Sequence, residues 1–294
     1  MTIKLVATDM DGTLLRDDKT FDTERFNRIL DAMDERGIQF VVASGNQLPK
    51  LHHYLDSYRK RPLTYIAENG AYIADQEKDI LISGFSEKTV NQIIATLANF
   101  PQVGVILSGH KNAYLPIERA EPIASLMKDY LDFLGADYNG DVSAMDFIRT
   151  WYPNAVYIDN YDVLSEDTIV KFALQTKRRE TAQILAQLID QLPPNVVPVT
   201  SGFGAIDLIS RGVNKGSALK WLGEQLNIKP EEMVAFGDAA NDAEMLNYVG
   251  TGVAMENATP ALKATADVVI GHNNDGGVLA YLEEILELVD ESRV

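Results

Sequence analysis

The chain has 294 residues, enough for about two domains at roughly 150 residues each. Its 43 acidic residues outnumber 26 basic ones, and the net charge of −17 repels phosphate backbones, which excludes nucleic-acid binding as the main role. Cysteine is absent, which removes disulfides, zinc fingers, iron–sulfur clusters and a cysteine nucleophile together and fits a reducing cytoplasm.

The first third alternates strands and helices. Ile3 to Thr8 is a short apolar run stopped by Asp9, as expected of a buried parallel strand. Phe26, Ile29, Leu30 and Met33 then mark one face of a helix, with Gly37 just past its end. Ile38 to Ala43 and Thr64 to Ala67 read as the next strands. Residues 84–210 have a different texture. Ser86 can cap a helix carrying Val90, Ile93, Ile94 and Leu97. Strands are expected at Val103–Leu107, Ile169–Leu174, Val196–Thr200 and Ala205–Ile209, and helices near 122–134 and 179–192; residues 145–165 match no single period. The last third returns to the opening style. Asn214 can cap a helix carrying Leu219, Leu222 and Leu226, strands follow at Met233–Phe236, Gly252–Met255 and Ala266–Ile270, and a closing helix aligns Leu279, Leu282, Ile285, Leu286 and Val289. The predicted fold is α/β: a Rossmann-like parallel-sheet core over 1–83 and 211–294 with helices on both faces, and an inserted α+β domain over 84–210. No run approaches the roughly 18 apolar residues of a membrane span, and Asp9 and Asp11 break the first apolar run, so neither a membrane partner nor a secretory leader is expected.

The chemistry concentrates where strands end. Asp9 closes the first strand, Asp11 follows two residues later, and Gly12 permits a tight turn. An isolated D-x-D is an ordinary solvated loop; D-x-D-G-T directly after an apolar strand is far more specific, because open α/β sheets bind ligands at the carboxyl ends of their strands. A second strand ends at Asp238, with Asn241 and Asp242 at the start of the following helix, where either could instead be a cap. Carboxylates converging at one edge need a cation, and Mg²⁺ prefers such hard oxygens. Ser44, Gly45 and Asn46 offer a hydroxyl and backbone N–H groups at a strand-to-helix turn suited to an anion. Lys215 begins a helix between flanking glycines after an apolar strand, which favours an inward role. His52, His53, His110 and His272 are scattered and read as surface residues.

These segments are recognisable together. DMDGTLL, ASGNQ, NKGSAL and GDAANDAEML match in order the four motifs of the haloacid dehalogenase (HAD) superfamily of phosphohydrolases, and the chain resembles its Cof-like branch over nearly its whole length. AENGA (67–71) and SGFGAIDLI (201–209) extend the similarity to broad-range bacterial sugar phosphatases. The resemblance implies a Mg²⁺-dependent phosphatase of small phosphate monoesters, with residues 84–210 as a cap that selects the substrate and closes to exclude water. It implies that Asp9 is the nucleophile, forming an aspartyl-phosphate, and that Asp11 is the general acid and then the base, its pKa raised by burial beside another carboxylate. Ser44, Gly45, Asn46, Lys215 and Asn241 would bind the substrate. Asp9, the backbone carbonyl of Asp11 and Asp238 would hold the metal, and Asp242 would position Lys215 or the metal's waters. Many relatives carry an arginine after their Ser/Thr-Gly, where this chain has Asn46, so part of the binding falls to the cap. His110, Lys111, Asn112 and Lys171 are its candidates, although a hairpin turn and a lysine on the solvent side of a strand explain them better than a binding role does. A flavin- or pyridoxal-phosphate phosphatase, a hexose phosphate mutase and a non-catalytic phospholigand sensor are the competing readings.

Overall fold

The computed structural model describes residues 2–126, 144–200 and 204–288. They form two compact units: Met1–Gly45, Leu55–Ile80 and Asn214–Val294 make the first, and Asn46–Tyr54 with Leu81–Val213 the second. No helix among the described residues is long and apolar enough to cross a membrane.

The first unit is built on a sheet of eight strands: β1 (Leu5–Thr8), β2 (Gln39–Ala43), β3 (Leu63–Ala67), β4 (Tyr72–Ala74), β5 (Asp79–Ile82), β12 (Met233–Gly237), β13 (Thr251–Met255) and β14 (Val268–Ile270). Their spatial order is β14-β13-β12-β1-β2-β3-β4-β5. Pairing is parallel from β14 through β3, and β4 turns back antiparallel on β3. β1 and β12 are wholly buried, which is why they read as continuous apolar runs rather than alternating ones. The helix Thr23–Glu35 starts where the Asp22 side chain accepts from Arg25 N–H, and it buries Phe26, Ile29, Leu30 and Met33, the expected face.

The second unit carries a six-stranded sheet ordered β10-β11-β9-β6-β7-β8. Its members are β6 (Gly104–Gly109), β7 (Ala113–Pro116), β8 (Ala155–Ile158), β9 (Ile169–Gln175), β10 (Val196–Thr200) and β11 (Ala205–Ser210). Only the β7–β8 pair is parallel. Leu107, Phe172, Leu174, Ile206 and Leu208 lie in one core with Val90, Ile93, Ile184 and Leu188, so the helices Glu87–Leu97 and Thr181–Ile189 cover that face. Ala113, Leu115, Ile123, Met145, Ile148 and Ala155 form a separate, smaller core. Buried Arg119 satisfies the end of the helix Glu87–Leu97, its guanidinium donating to the carbonyls of Leu97 (2.7 Å) and Phe100 (2.8 Å).

Strands β4, β5, β7 and β8 are additions to the sequence reading. Each is three or four residues long, too short to display a period against its flanks. Residues 145–165 resolve into the helix Ala144–Trp151, then β8, then a 3₁₀ turn at Asp162–Glu166; three short elements in succession explain why no period emerged. The helix expected near 122–134 is helical through 126, and its remainder lies outside the described residues, as do Val289 and residues 201–203. His53 is exposed as expected, but His52, His110 and His272 are half-buried. His272 has a local task there: its Nδ1 accepts from Asn274 N–H at 3.2 Å.

Candidate active site

Register brings the motifs of the first unit together. Thr8 lies opposite both Phe236 on β12 and Val42 on β2, and all three strands run the same way. The residues that follow them therefore emerge at one edge of the sheet: Asp9 after β1, Asp238 after β12 and Ser44 after β2. Ladder bonds hold the exits in place, with Asp9 N–H donating to Phe236 O (3.0 Å) and Ser44 N–H to Ile66 O (2.8 Å).

Lys215 arrives from the other end of the chain. It is the first residue of the helix Lys215–Leu226, where the Asn214 side chain accepts from Ser217 N–H and Ser217 Oγ accepts from Asn214 N–H, a closed capping box. Its ammonium is fully buried and stands 2.6 Å from Asp9 Oδ1 and 2.6 Å from Asp242 Oδ1. Asp242 is saturated: its other oxygen accepts from the backbone N–H groups of Asp238 (3.1 Å) and Ala239 (3.0 Å). Asp238 is engaged far more lightly, by the Thr13 hydroxyl at 3.3 Å. This asymmetry separates the two carboxylates chemically. Asp242 is occupied in holding Lys215 and its own loop, while Asp238 keeps oxygens for something else.

Carboxylate oxygens of Asp9, Asp238 and Asp242 lie within 4.8 Å of one another. Burial pushes the Asp9 carboxyl well above the ordinary range; Lys215 opposes that shift, and the charges of Asp242 and Asp238 add to it. Asp238 is pushed up to about 6, first by burial and then by Asp242, against Lys215 and Thr13. Burial works against the Lys215 ammonium, but Asp242 and then Asp9 outweigh it, so its pKa rises. Three carboxylates thus face one ammonium, and Asp9 and Asp238 are held above their usual range first by burial and then by the neighbouring carboxylate charges. A hard divalent cation is the partner such a donor set fits.

Two glycines make the close approach possible. Gly12 has φ +77°, and a Cβ there would sit 2.5 Å from Asp238 Oδ2. Gly70 has φ +100°, and its Cβ would meet Asn214 O at 2.2 Å, so its absence lets the turn at 67–71 press on the helix start that carries Lys215.

The remaining expected residues divide. Ser44 is buried at the sheet edge, and Gly45 beside it borders Asn69, whose Oδ1 would lie 3.0 Å from a Cβ at that glycine. Asn241 Nδ2 donates to the same Asn69 Oδ1 at 3.0 Å. Asn69, buried and left-handed at φ +56°, therefore joins two motif segments, a role the sequence reading missed. Its signal was available: an Asn-Gly pair immediately after a buried strand. Asn46 belongs to the second unit and accepts from Lys50 Nζ at 3.1 Å. Asp11 departs from expectation. Its side chain is 37% exposed and pairs with Lys19 Nζ at 2.6 Å within the same loop, so it is not buried as expected, although its charge still acts on Asp238.

In the second unit, Lys111 N–H and Asn112 N–H donate to the Asp167 carboxylate, so the 108–113 turn is clamped as a turn. Lys171 contradicts the solvent-side reading: it is only 3% exposed, with its Nζ 3.7 Å from Asp207 Oδ2. The expectation failed because both faces of this sheet carry buried residues, so alternation alone did not reveal which side was wet.

The family model of the haloacid dehalogenase-like hydrolases matches residues 6–282. The chain is 35% identical over 287 residues to the 5-amino-6-(5-phospho-D-ribitylamino)uracil phosphatase YbjI of Escherichia coli strain K12, covering 98% of this chain and 97% of that protein. It is 29% identical to a phosphoglycolate phosphatase of Methanopyrus kandleri, over 97% of this chain and 98% of the relative. Among solved structures, SMU.1108c of Streptococcus mutans UA159 superposes with a TM-score of 0.81 at 31% identity, over 97% of this chain and 100% of that one. Full-length coverage by phosphatases, joined to a lysine-bridged carboxylate cluster at the sheet edge, leads to one conclusion: the chain belongs to the haloacid dehalogenase-like hydrolases and is a phosphoric monoester hydrolase.

Proposed function

We propose that the protein hydrolyses small phosphate monoesters, foremost sugar phosphates, in a Mg²⁺-dependent reaction through an aspartyl-phosphate on Asp9. The observation that carries this reading is the Lys215 ammonium held between Asp9 and Asp242 at 2.6 Å each. It fixes one oxygen of Asp9, while Oδ2 takes no hydrogen bond among the described residues. A carboxylate held in this way is oriented for attack rather than consumed in an ordinary ion pair.

In the first displacement Asp9 Oδ2 bonds to phosphorus as the bond from phosphorus to the alcohol oxygen breaks, and Asp11 gives its proton to the departing alkoxide. In the second, Asp11 takes a proton from water, the water oxygen attacks phosphorus, and Asp9 is released with inorganic phosphate. Lys215, Ser44 and the backbone around Gly45 hold the phosphoryl oxygens, and Asn241 reaches them from its position beside Asn69. Asp9, Asp238 and the backbone carbonyl of Asp11 are the groups that would hold Mg²⁺, with Asp242 orienting Lys215. When bound, the ion supplies the positive charge that lets an anionic ester approach an anionic carboxylate. Lys19 Nζ stands 2.6 Å from Asp11 Oδ1.

A second reading concerns the alcohol half of the ester. The Escherichia coli relative is named for a phosphorylated ribityl chain joined to a uracil, and the Methanopyrus relative for phosphoglycolate. The higher identity to the former favours a polyhydroxylated leaving group over a short acid.

The test is a panel of sugar, sugar-alcohol, nucleotide and cofactor phosphates assayed for phosphate release with excess Mg²⁺, wild type beside Asp9→Asn. Turnover is expected in the wild type, and the variant is expected to lose about 10⁴-fold in kcat. Near-normal turnover by Asp9→Asn overturns the nucleophile assignment. Isomer formation without phosphate release would mark a mutase instead.

A further inference from the structure

In the first unit, the parallel strands β13 and β14 end at the same sheet edge as β1 and β12, and the loops that follow them reach back to the loops carrying Asp9 and Asp238. After β13, the Asn257 side chain donates from Nδ2 to the Gly12 carbonyl at 2.7 Å. Two residues on, Thr259 N–H donates to the Asp238 carbonyl at 2.9 Å. The Thr259 hydroxyl accepts from Leu262 N–H and so starts the helix Pro260–Thr265. One short segment therefore holds a backbone carbonyl of each of the two carboxylate-bearing loops.

The Asn257 side chain is itself fixed. Its Oδ1 accepts at 3.1 Å from Asn273 N–H, in the loop after β14, so both ends of the amide are engaged and its orientation follows from one donor and one acceptor. Asn273 is 1% exposed and carries the tie further, its Nδ2 donating to the Leu15 carbonyl (2.9 Å) and to Asp17 Oδ1 (3.1 Å). Asn273 Oδ1 is buried with no hydrogen-bond partner among the described residues, a cost that an apolar side chain would avoid. Asn274 closes the outer end, exchanging hydrogen bonds with Asp17 at 2.9 Å in each direction.

We propose that Asn257 is a positioning residue of the phosphatase site: through the Gly12 carbonyl it sets how closely the turn after Asp9 stands to Asp238. Gly12 is where the two loops meet, for its backbone lies so near Asp238 that an added Cβ would be 2.5 Å from Oδ2. The carbonyl that Asn257 holds belongs to the residue after Asp11, so a shift of this turn moves the Asp11 carbonyl relative to Asp238. The position demands a side chain that accepts from Asn273 and donates to Gly12 at once, which an amide does and a carboxylate or alkyl chain of the same size does not. The inference rests on the function proposed above, in which Asp238 and the Asp11 carbonyl hold Mg²⁺, and it names the group that keeps those ligands in register.

Asn257→Ala and Asn257→Leu, the second preserving side-chain volume, are compared with Asn274→Ala, which releases the loop after β14 from Asp17 at its outer end. Each is titrated with Mg²⁺ by calorimetry, and the melting temperature of the metal-free protein is measured beside it. The Mg²⁺ Kd is expected to rise about tenfold or more in both Asn257 variants and to stay within about twofold in Asn274→Ala, since removing the partners that orient metal ligands costs about 10- to 100-fold in affinity. A fall in melting temperature with unchanged Mg²⁺ affinity in the Asn257 variants, or an equal loss of affinity in Asn274→Ala, overturns the proposal and leaves the phosphatase reading intact. Amide exchange of the metal-free proteins, read by mass spectrometry, is the second measurement. Exchange about tenfold faster and confined to residues 10–15 in Asn257→Ala supports the role even if the wild type binds no Mg²⁺, in which case the metal assignment alone fails. Exchange that is unchanged there, or raised evenly along the chain, overturns the role.

Discussion

Asp9 and Asp11 stand two residues apart and occupy different physical worlds. Asp9 is buried, fixed by Lys215 and held far above the ordinary carboxylate range, whereas Asp11 is partly solvated and paired with Lys19. An acid that serves by protonating an alkoxide matters in proportion to how poor the leaving group is. Asp11→Asn is therefore expected to slow glucose 6-phosphate hydrolysis by about 10²-fold or more and p-nitrophenyl phosphate hydrolysis much less, as read from kcat on both esters. Asp238 carries a pH consequence. Its carboxyl stands at about 6 in the folded protein, above its unfolded value near 3.9. Between those values the native state binds more protons than the unfolded chain, so its contribution to stability is complete below about pH 4 and is lost as pH rises through about 6. Metal-free protein is expected to show this decline in denaturant unfolding across that window, with Asp9 acting in the same direction; Asp238→Asn should flatten it.

Elements decide where such residues meet. β1, β2 and β12 could be read from the sequence because buried parallel strands are unbroken apolar runs, and the Asn214 cap because a polar side chain preceding a helical period is a specific signal. The short strands β7 and β8 and the helix Ala144–Trp151 were illegible for the converse reason: their limits are set by pairing partners far away in sequence. Gly12 shows how an element boundary enters chemistry. The turn after β1 brings its backbone so close to Asp238 that a methyl group would displace the carboxylate. Gly12→Ala is expected to weaken Mg²⁺ binding at least tenfold in calorimetric titration, with far-ultraviolet circular dichroism preserved. Unchanged affinity would mean that Asp238 does not hold the ion.

At the scale of the molecule, a net charge of −17 is concentrated further at one sheet edge, where buried carboxylates exceed their ammonium partner. Self-repulsion of this kind is relieved by a bound cation, and relief appears as stability: about 2.7 kcal/mol at a free concentration 100 times Kd. Mg²⁺ is expected to raise the melting temperature by several degrees at pH 7.5 and by much less at pH 5, where protons compete for the same oxygens. Scanning calorimetry at both pH values with and without the ion checks this; an equal shift at both would point to cation binding elsewhere.

The residues of the central cluster were recognisable in the one-dimensional chain because each is tied to a local event, the end of an apolar strand or the first turn of a helix, and such events have short-range causes. Their division of labour was not. That Asp242 is saturated by Lys215 and two backbone donors while Asp238 is barely engaged, that Asp11 turns toward Lys19, that Asn69 bridges Gly45 and Asn241, and that Lys171 is buried beside Asp207 all depend on which distant segments pack together. Burial and hydrogen-bond partners are properties of the packed chain, and only the three-dimensional arrangement of strands and loops determines them.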